Sequence, residues 1–422
     1  MITRRTSGVA ALVAAVTIGM TGCGGSSGSG SDGGGSVTLW MYPVIKDPVK
    51  SKQFWAAEEK SFEKAHPKID LKIEMQTFDK RDAQISAALA AGTGPDIVLI
   101  TPDQAATYLN VRGVQPVDDA VADSKSKFLP AALDVATFDD HVYGVPLFAN
   151  VNTTAYNTKV FKDAGLALPK TWADVRAAAP VLAKKGIAVM DYAGNPEQTL
   201  NLSFYPLLWQ AGGDVMSKDG KSVAFNSPAG VSALQFLVDL KKAGGLNPDA
   251  ATDGPKVEGA PIAAGKVGLR VQAALPDVKQ MRAALGKDNV QLGPPLKGTT
   301  QATYGSPGLL ALTSINKKDN RQAAYEVLKF LSSAPEQTKL IAASGTFPTR
   351  TDVKTSGSPD VAAMTAAQKY ANPGEPSPAA RQIMAALAPK IQAALRGDLS
   401  PKDALDQAAK EANGALERTV RG

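Results

Sequence analysis

Few residues in this 422-residue chain could do chemistry: one cysteine, Cys23, and two histidines, His66 and His141. A lone cysteine excludes an internal disulfide and a cysteine-built metal site, and two histidines leave little for zinc or for a nucleophile–base pair. Neither metal nor cofactor is expected. Gly28-Ser29-Gly30-Ser31-Asp32-Gly33 has the G-x-G-x-x-G spacing, but no strand pattern precedes it and no helix pattern follows. Gly220-Lys221-Ser222 ends like a phosphate loop, yet Val215 stands where its first glycine belongs, so Lys218-Asp219-Gly220-Lys221 reads as a hairpin turn. Asp and Glu number 40, but no motif picks out a catalytic pair. What remains is binding chemistry. Gly268, Arg270 and Gln272 share one face of a strand, with Leu269 and Val271 on the other. An Arg and a Gln there are costly to bury unless they face a cleft or are paired, and a structural ion pair is the alternative for Arg270.

These side chains need a scaffold. The composition is that of a globular protein, 44% apolar and 20% charged, and the length implies two or three domains. A net charge of +6 is scattered, with no basic stripe among aromatics, so nucleic acid is not a partner. Val37–Met41 is an apolar strand. Trp55, Phe62 and Ala65 share a helix face that Pro67 stops. Ile69, Leu71, Ile73 and Met75 alternate with charged residues, as in a strand. A helix with Ile85 and Leu89 ends at Gly92, and Asp96–Ile100 reads as a buried parallel strand. Such a β-α-β-α-β series signals an open α/β sheet. The pattern restarts after Tyr156. Thr171 with Asp174 and Ser227-Pro228 open helices, Lys266–Gln272 and Leu309–Thr313 are strands, and a last helix carries Leu405, Ala408, Ala412 and Leu416.

The N-terminus reads as an export signal. Arg4 and Arg5 form a positive region, and Val9 to Met20 is apolar but too short to span a bilayer. Met20-Thr21-Gly22-Cys23 is similar to a bacterial lipobox, with Met20 in place of the usual Leu. Residues 1–22 are then a lipoprotein signal peptide, and Cys23 carries the lipid. Residues 23–36 form a Gly/Ser linker with a reach of roughly 20 Å. Thr3-Arg4-Arg5 lacks the hydrophobic pair of a twin-arginine signal.

Several segments carry a resemblance: Phe62-Glu63-Lys64-Ala65-His66-Pro67, Ala91-Gly92-Thr93-Gly94-Pro95-Asp96-Ile97, Tyr143-Gly144-Val145-Pro146, Gly265-Lys266-Val267-Gly268-Leu269 and Gly345-Thr346-Phe347-Pro348-Thr349-Arg350. In order and spacing the chain resembles the extracytoplasmic solute-binding proteins of ABC importers, in the carbohydrate-binding group that includes maltodextrin-binding protein. The resemblance implies an α/β periplasmic-binding-protein fold. Each of its two lobes is an open, mostly parallel sheet with helices on both faces, and three crossings join them. The crossings fall near Asn150–Thr154, Pro295–Thr303 and Lys354–Asp360. One lobe is then 37–150 plus 304–354, and the other 151–300 plus 358–422. It also implies a monomer on the outer face of the bacterial cell membrane that takes up a carbohydrate without turnover. ABC permease subunits with a separate ATPase would receive the sugar.

Sugar hydroxyls want planar polar groups, sugar C–H faces want aromatic rings, and ligands sit at the carboxyl ends of strands. Tyr42 follows the first strand at a position that contacts ligand in the family. Asp103 follows the third strand where maltodextrin-binding protein uses an Asp; a plain helix N-cap is its alternative. Asn150, a Glu in that relative, and Asn152 lie on the first crossing, where loop asparagines also satisfy backbone groups. Tyr205 comes from the aromatic-rich stretch that supplies sugar-stacking residues, ahead of Trp209, which looks like helix core. Arg270, Gln272 and the run Tyr304-Gly305-Ser306 complete the expected site. Leu275, Met384 and Ala385 stand where the relative has aromatics, which disfavours a long stacked oligosaccharide. Arg112, Arg270, Arg350 and Arg381 suit an anionic ligand such as a glycerophosphodiester. A cell-surface glycoside hydrolase is the further alternative.

Overall fold

The computed structural model describes residues 34–195, 199–355 and 357–421. The expected signal peptide, lipobox and most of the linker lie outside them. In the first helix, Pro48–Ala65, Asp47 accepts hydrogen bonds from the backbone of Val49 and Lys50, and Pro48 fills the first turn. Its inward residues are Ser51, Trp55, Glu58 and Phe62. Ala65, expected on that face, is exposed; its single methyl has little to gain from burial. The strand Ile69–Met75 alternates at its start, but Met75 reaches solvent. Helix Arg81–Ala91 closes on Gly92 at φ +65°, a left-handed conformation that glycine adopts without a Cβ clash.

Two mixed sheets organise the chain. In the first, Ile69–Met75, Gly35–Met41, Ile97–Ile100, Pro307–Thr313 and Val114–Gln115 lie in that order, and Val145–Ala149 pairs with Pro307–Thr313. In the second the order is Val290–Gly293, Thr153–Asn157, Val267–Ala273, Ala188–Asp191. The expectation of mostly parallel sheets needs correction. Gly35–Met41 runs parallel to both neighbours, but Pro307–Thr313 is antiparallel to all of its partners. Thr153–Asn157 is likewise antiparallel to Val267–Ala273 and Val290–Gly293. Parallel neighbours need a long crossover, usually a helix. Thr153–Asn157 and Pro307–Thr313 instead enter their sheets directly from short extended links.

Each sheet has its own large core, and a smaller cluster around Val267, Val278 and Met281 lines the second sheet as well. One gathers Val37, Leu39, Trp55, Phe62, Ile97 to Ile100, Leu309 to Leu312 and Val327. The other gathers Trp172, Phe204, Phe225, Phe236, Leu269, Ile383, Leu387, Leu405 and Ala412. Extended segments join the two. Asn150 and Ser306 exchange backbone hydrogen bonds of 2.9 and 3.1 Å, and the Asn152 amide donates to the Tyr304 carbonyl at 3.0 Å. Thr303–Tyr304 also runs parallel to Ala371–Asn372. Thr351 donates to the Lys127 carbonyl, and Asp360 pairs with Arg282.

Candidate functional site

The site starts at strand ends. Gly35–Met41 delivers Tyr42, which is fully buried and stacks on Phe78 with centroids 5.4 Å apart. Phe78 is itself 44% exposed, an aromatic face open to solvent. The Arg81 guanidinium sits 5.5 Å from both ring centres, in cation–π range. Ile97–Ile100 leads into helix Pro102–Asn110, capped by Thr101 with Gln104 as its capping-box partner. Asp103 is therefore not the cap, and its carboxylate is free for other work. It is 1% exposed, and neither oxygen accepts a hydrogen bond.

Asp103 meets Arg381. That guanidinium comes from helix Ala380–Arg396, whose Ile383 and Leu387 belong to the other core. Its Nη2 lies 3.0 Å from Asp103 Oδ2 and its Nε 3.4 Å from Asp82 Oδ2. Nη2 is within ion-pair distance without an aligned hydrogen bond. Asp82 also accepts from Gln104 and, at 3.3 Å, from the Tyr108 hydroxyl. Burial alone would lower the Arg381 pKa, but Asp103 and Asp82 outweigh it and raise it. Burial, then the neighbouring Arg381 charge, lower that of Arg81.

The second core supplies further residues near Asp103. Tyr205, 1% exposed, lies in the helix Phe204–Gln210; burial first, then the charges of Glu375 and Asp103, raise its pKa. Burial and Asp103 push Tyr304 up to about 12. Glu375 is also raised, by burial and by Asp214. Gln272 accepts from Thr303 Oγ1 at 3.2 Å, leaving its buried Nε2 without a partner. Trp209 Nε1 and the Tyr42 hydroxyl are likewise buried and unpartnered. Trp209 packs in the helix core, as expected from its neighbours.

Tyr42, Asp103, Tyr205, Tyr304 and Gln272 thus gather near the junction of the two cores. The other expected residues are placed differently. Arg270 is committed to Asp191 at 2.6 Å, its cross-strand neighbour, and donates to the Lys256 carbonyl at 3.1 Å. This is the structural ion pair that its position on the strand left open. Burial still raises the Asp191 pKa despite that partner. Asn152 donates its side-chain amide to the Tyr304 carbonyl at 3.2 Å, and Asn150 is exposed with its backbone tied to Ser306. A Cβ on Gly305 would lie 2.8 Å from the Ala371 methyl and 3.0 Å from the Asn150 carbonyl oxygen, so this glycine admits neighbouring crossing segments. Ser306 is buried and donates to the Pro307 carbonyl at 3.3 Å. Of the arginines suited to an anion, Arg350 is held by Asp352 at 2.8 Å, Arg381 by two carboxylates, and Arg112 is exposed.

Sequence reasoning missed Phe78, Arg81 and Asp82, which follow the carboxyl end of Ile69–Met75. The strand-end rule that singled out Tyr42 and Asp103 would have found them. Among the described residues, no group of three or more His, Cys, Asp or Glu could hold a metal ion. No described helix is long and apolar enough to cross a membrane.

Two α/β bodies joined by several extended segments, with polar and aromatic residues of both meeting between them, define the architecture of a two-lobed binding protein. Residues 42–338 match the family described as bacterial extracellular solute-binding protein, and the chain belongs to that family. The family is one of binding proteins, not enzymes. A galactooligosaccharide-binding protein of Bacillus subtilis is 24% identical, over 97% of each chain. A diacetylchitobiose-binding protein of Streptomyces coelicolor is 27% identical over 51% of this chain and 50% of its own length. Among solved structures, an ABC-transporter solute-binding protein of Thermotoga lettingae bound to α-D-tagatose superposes with a TM-score of 0.78 at 23% identity, covering 90% of this chain and 99% of its own. An acarbose-binding receptor of Streptomyces glaucescens gives 0.77 at 24% identity, covering 92% and 99%. These likenesses establish the periplasmic-binding-protein fold.

Proposed function

We propose that this chain is a lipid-anchored substrate-binding protein that captures a saccharide between its lobes and delivers it to an ABC-type sugar importer with separate permease and ATPase subunits. One observation carries the reading. Polar groups from both lobes, Asp103, Arg381 and Gln272, meet beside the rings of Tyr42, Tyr205 and Tyr304, and several of their atoms are buried without partners. Sugars present this mixture of hydroxyls and apolar faces. The sugars in the printed names and titles of the relatives point the same way. The lobes run from 37–150 plus 304–354 and from 151–300 plus 358–422, with Cys23 as the lipidated first residue of the mature chain. A glycerophosphodiester is disfavoured, because carboxylates hold three of the four arginines that would read its phosphate.

The test is a thermal-shift screen against a saccharide and glycerophosphodiester library, with each hit assayed for turnover. At a hundredfold excess over Kd a ligand adds about 2.7 kcal/mol to the native state. For a chain of this size that raises Tm by roughly 2–4 °C. A hit from a neutral saccharide that is not consumed supports the reading. Stabilisation by glycerophosphodiesters alone, or turnover of the sugar, overturns it.

A further inference from the structure

We infer that the base of the first sheet, the end remote from Tyr42 and Asp103, is a membrane-facing surface that takes the anionic headgroups of a phospholipid bilayer. The inference rests on the anchored reading of Cys23. Strand direction builds this base. Ile69–Met75, Gly35–Met41 and Ile97–Ile100 run parallel and start there. Pro307–Thr313 is antiparallel to them and ends there, and Val114–Gln115, antiparallel to it in turn, starts there. The connections at this end are tied side by side. The Gly35 amide donates to the Lys68 carbonyl at 3.2 Å, and the Ser314 amide to the Gly113 carbonyl at 2.8 Å. Asn320 donates from its backbone to the Lys317 carbonyl at 3.0 Å and from its side chain to the Ser36 carbonyl at 2.7 Å.

Charge and connectivity agree on the partner. Lys64, Lys68, Arg112, Lys317 and Lys318 are all exposed in these connections or in the helix turn beside them. Next to Arg112, Val111 is 64% exposed, an apolar side chain among the cations. Against them stand Glu63, Asp70 and Asp319. Asp96 is turned inward, accepting from the Thr38 amide at 2.9 Å and from Asn316 at 2.8 Å. The remaining connection, Gly92-Thr93-Gly94-Pro95, is uncharged. Gly34, where the described chain begins, belongs to the same end: a Cβ on it would lie 2.9 Å from the Lys68 carbonyl oxygen. Residues 24–33 alone separate it from Cys23, and even fully extended a chain of that length reaches about 35 Å at most. A lipid on Cys23 therefore keeps this end close to the bilayer. Each Lys or Arg brought to an anionic surface strengthens attachment about fivefold at low salt, and the attraction fades within a Debye length. A molecule resting on this base turns Tyr42 and Asp103 toward the solution, where solute arrives.

The test is co-sedimentation of the mature chain, residues 23–422 carrying Cys23→Ser, so that no acyl chain contributes. The probe is a vesicle of equal parts phosphatidylglycerol and phosphatidylcholine. Binding is expected to these vesicles and not to pure phosphatidylcholine, and it should fall as salt is raised. Lys317→Gln with Lys318→Gln should weaken it about 25-fold at low salt. Lys402→Gln with Lys410→Gln, the same charge change on the last helix, should alter it less than twofold. Melting curves check the fold of every variant, and if the first pair unfolds, Lys64→Gln with Arg112→Gln decides on the same terms. Absence of binding, equal binding to neutral vesicles, equal weakening by both lysine pairs, or loss of fold in both base pairs overturns the proposal. So does binding to soluble polyglycerol phosphate but not to vesicles, which assigns the face to a wall polymer. Since Cys23 carries no lipid in this measurement, its failure leaves the anchor to be judged by fatty-acid labelling, and a chain that takes no label still gives a readable vesicle result.

Discussion

Two arginines, Arg270 buried and Arg381 partly so, show how alike residues acquire different work. Arg270 and Arg381 each face carboxylates, but the partner of Arg270 is its cross-strand neighbour and those of Arg381 belong to the opposite core. Arg270 is therefore a stability residue. Replacing it with Met leaves the buried Asp191 without its cation, at a cost of about 3–5 kcal/mol in urea unfolding. Pairing Arg270→Met with Asp191→Leu should recover most of that loss, because an apolar pair does not carry the desolvation penalty. If Arg270→Met keeps wild-type stability, the ion pair is not what holds this residue. Position on a strand face told that Arg270 must be paired or face a cleft. It could not tell which, because Asp191 lies 79 positions earlier and meets Arg270 only through sheet pairing. Tyr42 and Asp103 were legible since both follow strand ends. Arg381 carries no such mark; it stands in the first turn of a helix among small residues.

At the level of elements, sequence periodicity located helices and strands but not strand direction. Pro307–Thr313 is buried along its whole length, and a run without alternation says nothing about which way it threads. Caps were plainer: Thr171 with Asp174 forms the expected capping box, and Ser227 caps the helix that Pro228 opens. The packing of Pro48–Ala65 against Ala334–Ser344 holds something the pattern did not announce. Glu58 and Glu336 are both buried there, with Lys339 Nζ 3.6 Å from the first and 2.6 Å from the second. Burial first, then a hydrogen bond with Glu336 and its like charge, raise the Glu58 carboxyl from 4.5 to about 7, against the pull of Lys339. The native state then holds a proton that the unfolded chain releases. This contribution to stability is complete below pH 4.5 and is lost as pH rises through about 7. Unfolding free energies across that window should fall with pH in the wild type and fall less in Glu58→Gln. Parallel profiles for the two would take Glu58 out of the account.

For the whole molecule, the anchored reading predicts that fatty-acid labelling in a bacterial host marks the wild type and not Cys23→Ser; equal labelling of both would remove the anchor. The arrangement of the chain also has a consequence for biosynthesis. In the first sheet Pro307–Thr313 lies between Ile97–Ile100 and Val114–Gln115, so a central strand is made after every strand of the second sheet. While the N-terminal half emerges, Ile97–Ile100 has its parallel neighbour on one edge and nothing on the other. Contacts between residues so distant in sequence form slowly, because a long loop must close before they contribute. The first sheet therefore cannot be completed as an early, independent unit. Its completion waits until Thr313 has been made, long after Ile97–Ile100 has left the ribosome.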